Sequence, residues 1–161
     1  YLEMIRKKTA VLLAASLAIG AFCGRATEEE ARLLYQYGEN LGMAFQIRDD
    51  ILDCYGDIKK FGKVKAGDII QGKKTILYIR TWFALPEEQQ VEFTELYHGN
   101  DPNKIEKVLR YFGVAGARDY AHRKEQEFFD KARAALEKIN LPGAQKSILT
   151  DYTRAILGRE F

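Results

Sequence analysis

Residues 42–53 read Gly-Met-Ala-Phe-Gln-Ile-Arg-Asp-Asp-Ile-Leu-Asp, and the organisation of the chain follows from how that stretch coils. Leu34, Leu41, Phe45 and Leu52 keep helical spacing across it. Thr27, followed three residues on by Glu30, makes a capping box, so the helix is expected to begin there and to reach Cys54 or Tyr55. On a helix turning roughly 100° per residue, Gln46, Asp49, Asp50 and Asp53 fall within an arc of roughly 100°. Ile47, Ile51 and Leu52 lie largely off that arc. Like charges so close destabilise a helix by about 0.2–0.5 kcal/mol per pair. Anions near a helix C-terminus also oppose the macrodipole. A bound cation would offset both costs.

Carboxylate oxygens with no His or Cys beside them suit magnesium better than zinc or iron. Magnesium keeps several waters and is usually completed by phosphate oxygens, so a phosphorylated ligand is expected. The plain alternative is a solvated acidic patch at a helix end.

Outward from this helix the chain is helical throughout. An apolar helix is expected over residues 2–22, stopping at Gly24. Gly38 and Gly42 each weaken the central helix by about 1 kcal/mol relative to alanine, and close packing of a neighbouring helix is the expected reason. Residues 56–72 break the pattern with Gly56, Gly62, Gly67 and Gly72, and Lys59, Lys60, Lys63 and Lys65 charge the loop. Helices are expected at 74–85, 87–97 (with Pro86 in its first turn), 103–112, 114–139 and 144–157. With no strand pattern and no repeat, residues 1–161 are read as one all-α region.

Composition agrees with a globular chain of ordinary domain length: 161 residues, 47% hydrophobic and 30% charged. A net charge of +2 gives no general field for a polyanion, so nucleic acid is not an expected partner. Cys23 and Cys54 have no CxxC spacing, which argues against a zinc site or disulfide scaffold and fits a reducing compartment. Arg6, Lys7 and Lys8 before the apolar run 9–23 imitate a secretory signal, and its final Cys23 a lipid anchor. The same run equally suits a buried Ala/Leu-rich helix and is short for a membrane span. Tyr111, Phe112, Phe128 and Phe129 are read as core packing rather than as a lipid groove. His98 and His122 have no catalytic companion in the sequence.

Lysines accompany the carboxylates in order: Lys8 before Thr9, Lys63 after Gly62, and Lys73 after Gly72. Each alone reads as a surface charge. Together, metal ions facing ammonium groups are what a diphosphate requires on its two sides.

Lys8-Thr9, Phe45-Gln46-Ile-Arg-Asp49-Asp50-Ile-Leu-Asp53, Tyr55-Gly56-Asp57, Phe61-Gly62-Lys63 and Gly72-Lys73-Lys74-Thr75 resemble the trans-isoprenyl diphosphate synthases. These are the polyprenyl synthetase family, which includes the farnesyl and geranylgeranyl diphosphate synthases. The likeness is close up to about Thr75; beyond it only the helical pattern agrees. It implies the C-terminal portion of the isoprenoid synthase fold, a helical bundle, and a magnesium-dependent prenyltransferase of isoprenoid biosynthesis in the cytoplasm. It assigns Asp49, Asp50 and Asp53 to the metal and its water shell. It places Lys8, Lys63 and Lys73 on the allylic diphosphate. Thr9, Phe45 and Gln46 would line the junction with isopentenyl diphosphate, the Phe45 ring facing the allylic cation.

The family's earlier Asp-rich motif, the arginines after it and the N-terminal basic site are not found in these residues. The expectation is therefore half of a bundle: a fragment, or a chain that pairs with a missing N-terminal half or companion, inactive alone, and homodimeric in the complete enzyme. Two other readings remain open. One is a non-catalytic subunit or diphosphate-binding relic of a heteromeric prenyl synthase. The other is a secreted or lipid-anchored helical protein beginning at Met4. Terpene cyclases share the fold but usually carry a different second metal motif.

Overall fold

A computed structural model describes residues 1–56 and 66–157. All regular structure among them is helical, as the sequence pattern predicts. The chain divides into two compact units.

The first unit comprises Leu2–Gln46 and the described residues from Lys124 on. It opens with α1 (Leu2–Ile5), a π-helical turn over Arg6–Ala10, and α2 (Val11–Cys23). The expected single helix over 2–22 is thus interrupted: the Val11 N–H donates to the Arg6 carbonyl, one residue further back than an α-helix allows. Helix α2 ends as a Schellman motif. The Ala26 N–H reaches Ala21 O at 2.9 Å and the Arg25 N–H reaches Phe22 O at 3.0 Å. The left-handed residue is Arg25 (φ 61), not the glycine beside it.

Helix α3 (Glu28–Tyr55) begins with the predicted capping box. Glu30 Oε2 accepts the Thr27 N–H at 2.8 Å, and Thr27 Oγ1 accepts the Glu30 N–H at 3.3 Å. Its buried face, Leu33, Tyr37, Leu41 and Ala44, packs on Ala132, Ala135, Leu136 and Ile139 of α8 (Ala117–Lys138). Phe128, Phe129, Leu13 and Leu17 border this core, which accounts for the two phenylalanines as packing residues. The close approach expected at Gly38 and Gly42 is present. A β-carbon on Gly38 would stand 2.9 Å from Ala14 Cα, and one on Gly42 would stand 2.6 Å from Ala10 Cα. The last helix, α9 (Gly143–Leu157), is tied to α3 by the Tyr37 hydroxyl, which donates to Leu149 O at 2.9 Å and is in hydrogen-bond contact with the Thr153 hydroxyl. Helix α2 bears no charged side chain, and Leu12, Ile19 and Phe22 on it are exposed.

The second unit comprises Tyr1 and Ile47–Arg123. The end of α3 is followed by α4 (Gly67–Ile70), α5 (Ile76–Ala84), α6 (Glu87–His98), α7 (Lys104–Val114) and the start of α8. The expected loop over 56–72 therefore contains a short helix. Pro86, expected in the first turn of α6, is its N-cap. The spacing predicts that α7 ends at Phe112 and α8 begins at Val114. The break instead falls at Gly116, which takes a left-handed φ of 60 that glycine adopts at no steric cost. An aromatic core fills this unit: Tyr78 stacks on Phe93 at 5.2 Å, Tyr97 lies 4.5 Å from Tyr78, and Phe93 meets Tyr111 and Phe112. No described helix is long and apolar enough to cross a membrane.

Candidate active site

Asp49, Asp50 and Asp53 occupy the last turns of α3, an unbroken helix there, so they share a face as their spacing requires. Burial then separates them. Asp50 is buried, and the Tyr1 hydroxyl donates to it. Burial also raises the Tyr1 phenol pKa, with the Asp50 charge adding to the shift, so that hydroxyl stays a donor.

Asp53 is held by the chain that returns after residue 65. Its main-chain carbonyl accepts the Ala66 N–H at 2.7 Å, and its carboxylate accepts the Asp68 N–H at 2.8 Å. Ala66 stands in the left-handed region (φ 58), which turns the chain into α4. Gly67 keeps room for the carboxylate: a β-carbon there would stand 3.2 Å from Asp53 Oδ1. Burial raises the Asp53 pKa above the usual carboxylate value. The Asp68 and Asp49 charges push the same way, while the Asp68 N–H and Lys73 oppose them.

Helix α4 then delivers Lys73. Its N–H donates to Asp68 O at 2.9 Å, and its carbonyl accepts the Tyr97 hydroxyl at 2.6 Å. Its ammonium lies 2.6 Å from Asp68 Oδ1. That bond, with the nearby Asp68, Asp53 and Asp50 charges, raises the Lys73 pKa. Asp68 escaped the sequence reading. Nothing in Gly67-Asp-Ile-Ile70 marks the residue; it becomes visible only when the turn at Ala66 brings it back to the end of α3. Buried Cys54 next to Asp53 has its thiol pKa pushed up by burial, which leaves it inert.

Lys8, Thr9, Phe45 and Gln46 belong to the first unit. Thr9 Oγ1 donates to the Gln46 side-chain carbonyl at 3.0 Å, so two residues far apart in sequence are paired as partners. Lys8 is exposed on the π turn, and Phe45 is half-buried on α3. Arg6, beside Lys8, ion-pairs with Glu39 at 3.0 Å. Lys63 lies outside the described residues, as do Asp57, Phe61 and Gly62.

Among the described residues, no group of three or more His, Cys, Asp or Glu side chains is spaced to enclose a metal ion. Magnesium does not require such a cage. It takes one or two carboxylates, completes its shell with water and phosphate, and uses oxygen donors alone. The carboxylates at the end of α3 fit that demand.

The polyprenyl synthetase family profile matches residues 1–113. A short chain isoprenyl diphosphate synthase of Methanocaldococcus jannaschii is 45% identical over 108 residues, 67% of this chain and 33% of that protein. A geranylgeranyl diphosphate synthase of Sulfolobus acidocaldarius is 35% identical over 159 residues, 95% of this chain and 48% of its own length. The crystal structure of a geranylgeranyl pyrophosphate synthetase from Pyrococcus horikoshii superposes with a TM-score of 0.89 at 32% identity, covering 99% of this chain and 49% of that one. The chain spans about half the length, or less, of the curated relatives it matches. With a family profile over most of its residues and a relative above 30% identity along nearly all of them, the chain belongs to the polyprenyl synthetase family.

Proposed function

We propose that this chain supplies the second acidic site of a trans-prenyltransferase that condenses an allylic diphosphate with isopentenyl diphosphate. The observation that carries the reading is the meeting, in one unit, of the α3 carboxylates with an ammonium: Asp53 bound to the Asp68 N–H, and Asp68 bound to Lys73. An acidic helix end with a lysine beside it suits an anion that arrives with divalent cations.

Asp49, Asp50 and Asp53 are the residues that would hold magnesium, directly or through its waters. When bound, magnesium supplies charge stabilisation for the departing diphosphate. Lys73 donates hydrogen bonds to that diphosphate, and the family likeness gives Lys8 and Lys63 the same task. Thr9 fixes the Gln46 amide through its hydroxyl, which orients the amide for isopentenyl diphosphate. The Phe45 ring face stabilises positive charge on the allylic carbon by about 1–2 kcal/mol when desolvated. Cytoplasmic location and a homodimer belong to the same reading of the complete enzyme.

Condensation needs more than these residues. The curated relatives are about twice as long as the part this chain matches, so a companion half is required and the 161-residue chain alone is expected not to turn over. Two measurements test this. Calorimetric titration of inorganic pyrophosphate should show binding that depends on magnesium and is lost in Asp49→Ala. Incubation of the purified chain with labelled isopentenyl diphosphate and an allylic diphosphate should give no prenyl product. Magnesium-independent binding would remove the metal role, and product formation would remove the need for a companion.

A further inference from the structure

We propose that Asp68 is a positioning residue for Lys73, holding its ammonium so that an incoming diphosphate meets a donor already oriented; this rests on the reading of the site given above. Asp68 is itself fixed. Its N–H is bound by the Asp53 carboxylate at 2.8 Å, and its side chain is only 13% exposed. Lys73 is fixed at three points. Its N–H is bound by Asp68 O at 2.9 Å, its carbonyl by the Tyr97 hydroxyl at 2.6 Å, and its ammonium by Asp68 Oδ1 at 2.6 Å. The Lys73 side chain nonetheless remains 55% exposed. A lysine seldom buries its ammonium, even in an ion pair. This one is tethered on its inner side and open on its outer side.

An ammonium has three donors, and Asp68 engages one, which leaves donors for an anion. A freely rotating lysine loses much of its rotamer freedom when it captures a ligand. The tether removes that loss before binding. The Asp68 charge opposes this benefit by repelling the anion, so the sign of the effect of Asp68→Asn decides between an orienting and a masking role. The short path through Gly67 also ties Lys73 to Asp53, so the metal side and the ammonium side of the site are set by one four-residue helix.

The test uses the full chain at fixed magnesium with inorganic pyrophosphate as the probe. Asp68→Asn is expected to weaken pyrophosphate binding on the order of ten-fold and to abolish the slowly exchanging Lys73 ammonium signal in a 1H–15N spectrum. Asp68→Glu should recover both in part, which a purely structural defect would not. In a double-mutant cycle with Lys73→Met, the loss from Asp68→Asn should vanish once the lysine is gone. Unchanged or tighter binding by Asp68→Asn overturns the inference, as do additive losses in the cycle. A wild-type chain that binds no pyrophosphate defeats the reading of the site itself, and this inference with it.

Discussion

Gly42 and Ala10 are in backbone contact: a β-carbon on Gly42 would lie 2.6 Å from Ala10 Cα and 3.0 Å from Ala10 Cβ. Real β-carbons do not come so near a main chain, so the π turn can sit at this distance from α3 only because position 42 has no side chain. The same turn carries Lys8 and Thr9, and Thr9 reaches Gln46 one turn further along α3.

Gly42→Ala is therefore expected to destabilise the protein by about 1–3 kcal/mol, the range of overpacking. Alanine's better helix propensity, about 1 kcal/mol, opposes this and loses. Gly20→Ala in α2 is the control, because a β-carbon there meets nothing within 4 Å. It should gain up to about 1 kcal/mol. Urea unfolding of both variants measures the contrast, and a Gly42→Ala protein as stable as the wild type would contradict the close contact.

Arg25 closes α2 in a left-handed conformation (φ 61) that disfavours an L side chain by roughly 1–2 kcal/mol. Glycine relieves that strain and gives part back as unfolded-chain entropy. Arg25→Gly is expected to raise stability by about 0.5–1 kcal/mol, read as a higher urea midpoint at unchanged m-value. A lower midpoint would mean that the arginine side chain has a stabilising role.

The Tyr37 hydroxyl is a polar fastening of α9, bound to Leu149 O at 2.9 Å and to the buried Thr153 hydroxyl. Thr153 Oγ1 also donates to Leu149 O at 2.9 Å, so losing the Tyr37 hydroxyl removes a bond without orphaning that carbonyl and costs about 0.5–1.5 kcal/mol. Tyr37→Phe should lose that much stability, with faster amide exchange concentrated in α9. Uniform loosening of the whole chain would argue that Tyr37 acts through core packing instead.

Asp53 makes the metal-free protein pH-dependent in a direction opposite to most carboxylates. Burial raises its pKa in the folded state, so the folded chain holds that proton more tightly than the unfolded chain does. Its contribution favours folding at low pH. That contribution is lost as pH rises from the usual carboxylate value through the raised one, after which the ionised group opposes folding. Asp53→Asn keeps an acceptor for the Asp68 N–H, so in chelator its melting temperature at pH 7 should exceed that of the wild type. The difference should close below about pH 4. On the proposed metal role, magnesium should reverse the order: saturating the wild type at a hundred times Kd would add about 2.7 kcal/mol, and less in the variant. Circular dichroism melts across pH with and without magnesium check both limbs. A less stable Asp53→Asn at neutral pH without metal would remove the burial argument.

Much of this was legible in the residue order because it is local. The capping box at Thr27 and Glu30, the helical face of Asp49, Asp50 and Asp53, and the packing use of Gly38 and Gly42 depend on neighbours within one helix or on the absence of a side chain. Helix boundaries failed where a single residue decided between continuing and reversing. Gly116 split a helix expected from Val114, and the π turn at Arg6–Ala10 left no mark in an evenly apolar run.

The sequence by itself determined an all-α chain, its family, and the acidic and basic residues proposed to carry the chemistry, because helical periodicity and motif spacing are properties of short segments. Only the tertiary structure decided that Asp68 stands between Asp53 and Lys73, that Thr9 serves Gln46, and that Asp50 is buried while its neighbour Asp49 is not. Those outcomes depend on which way the chain returns after a turn and on how much water the returning segment displaces. No spacing rule along one strand of residues encodes either.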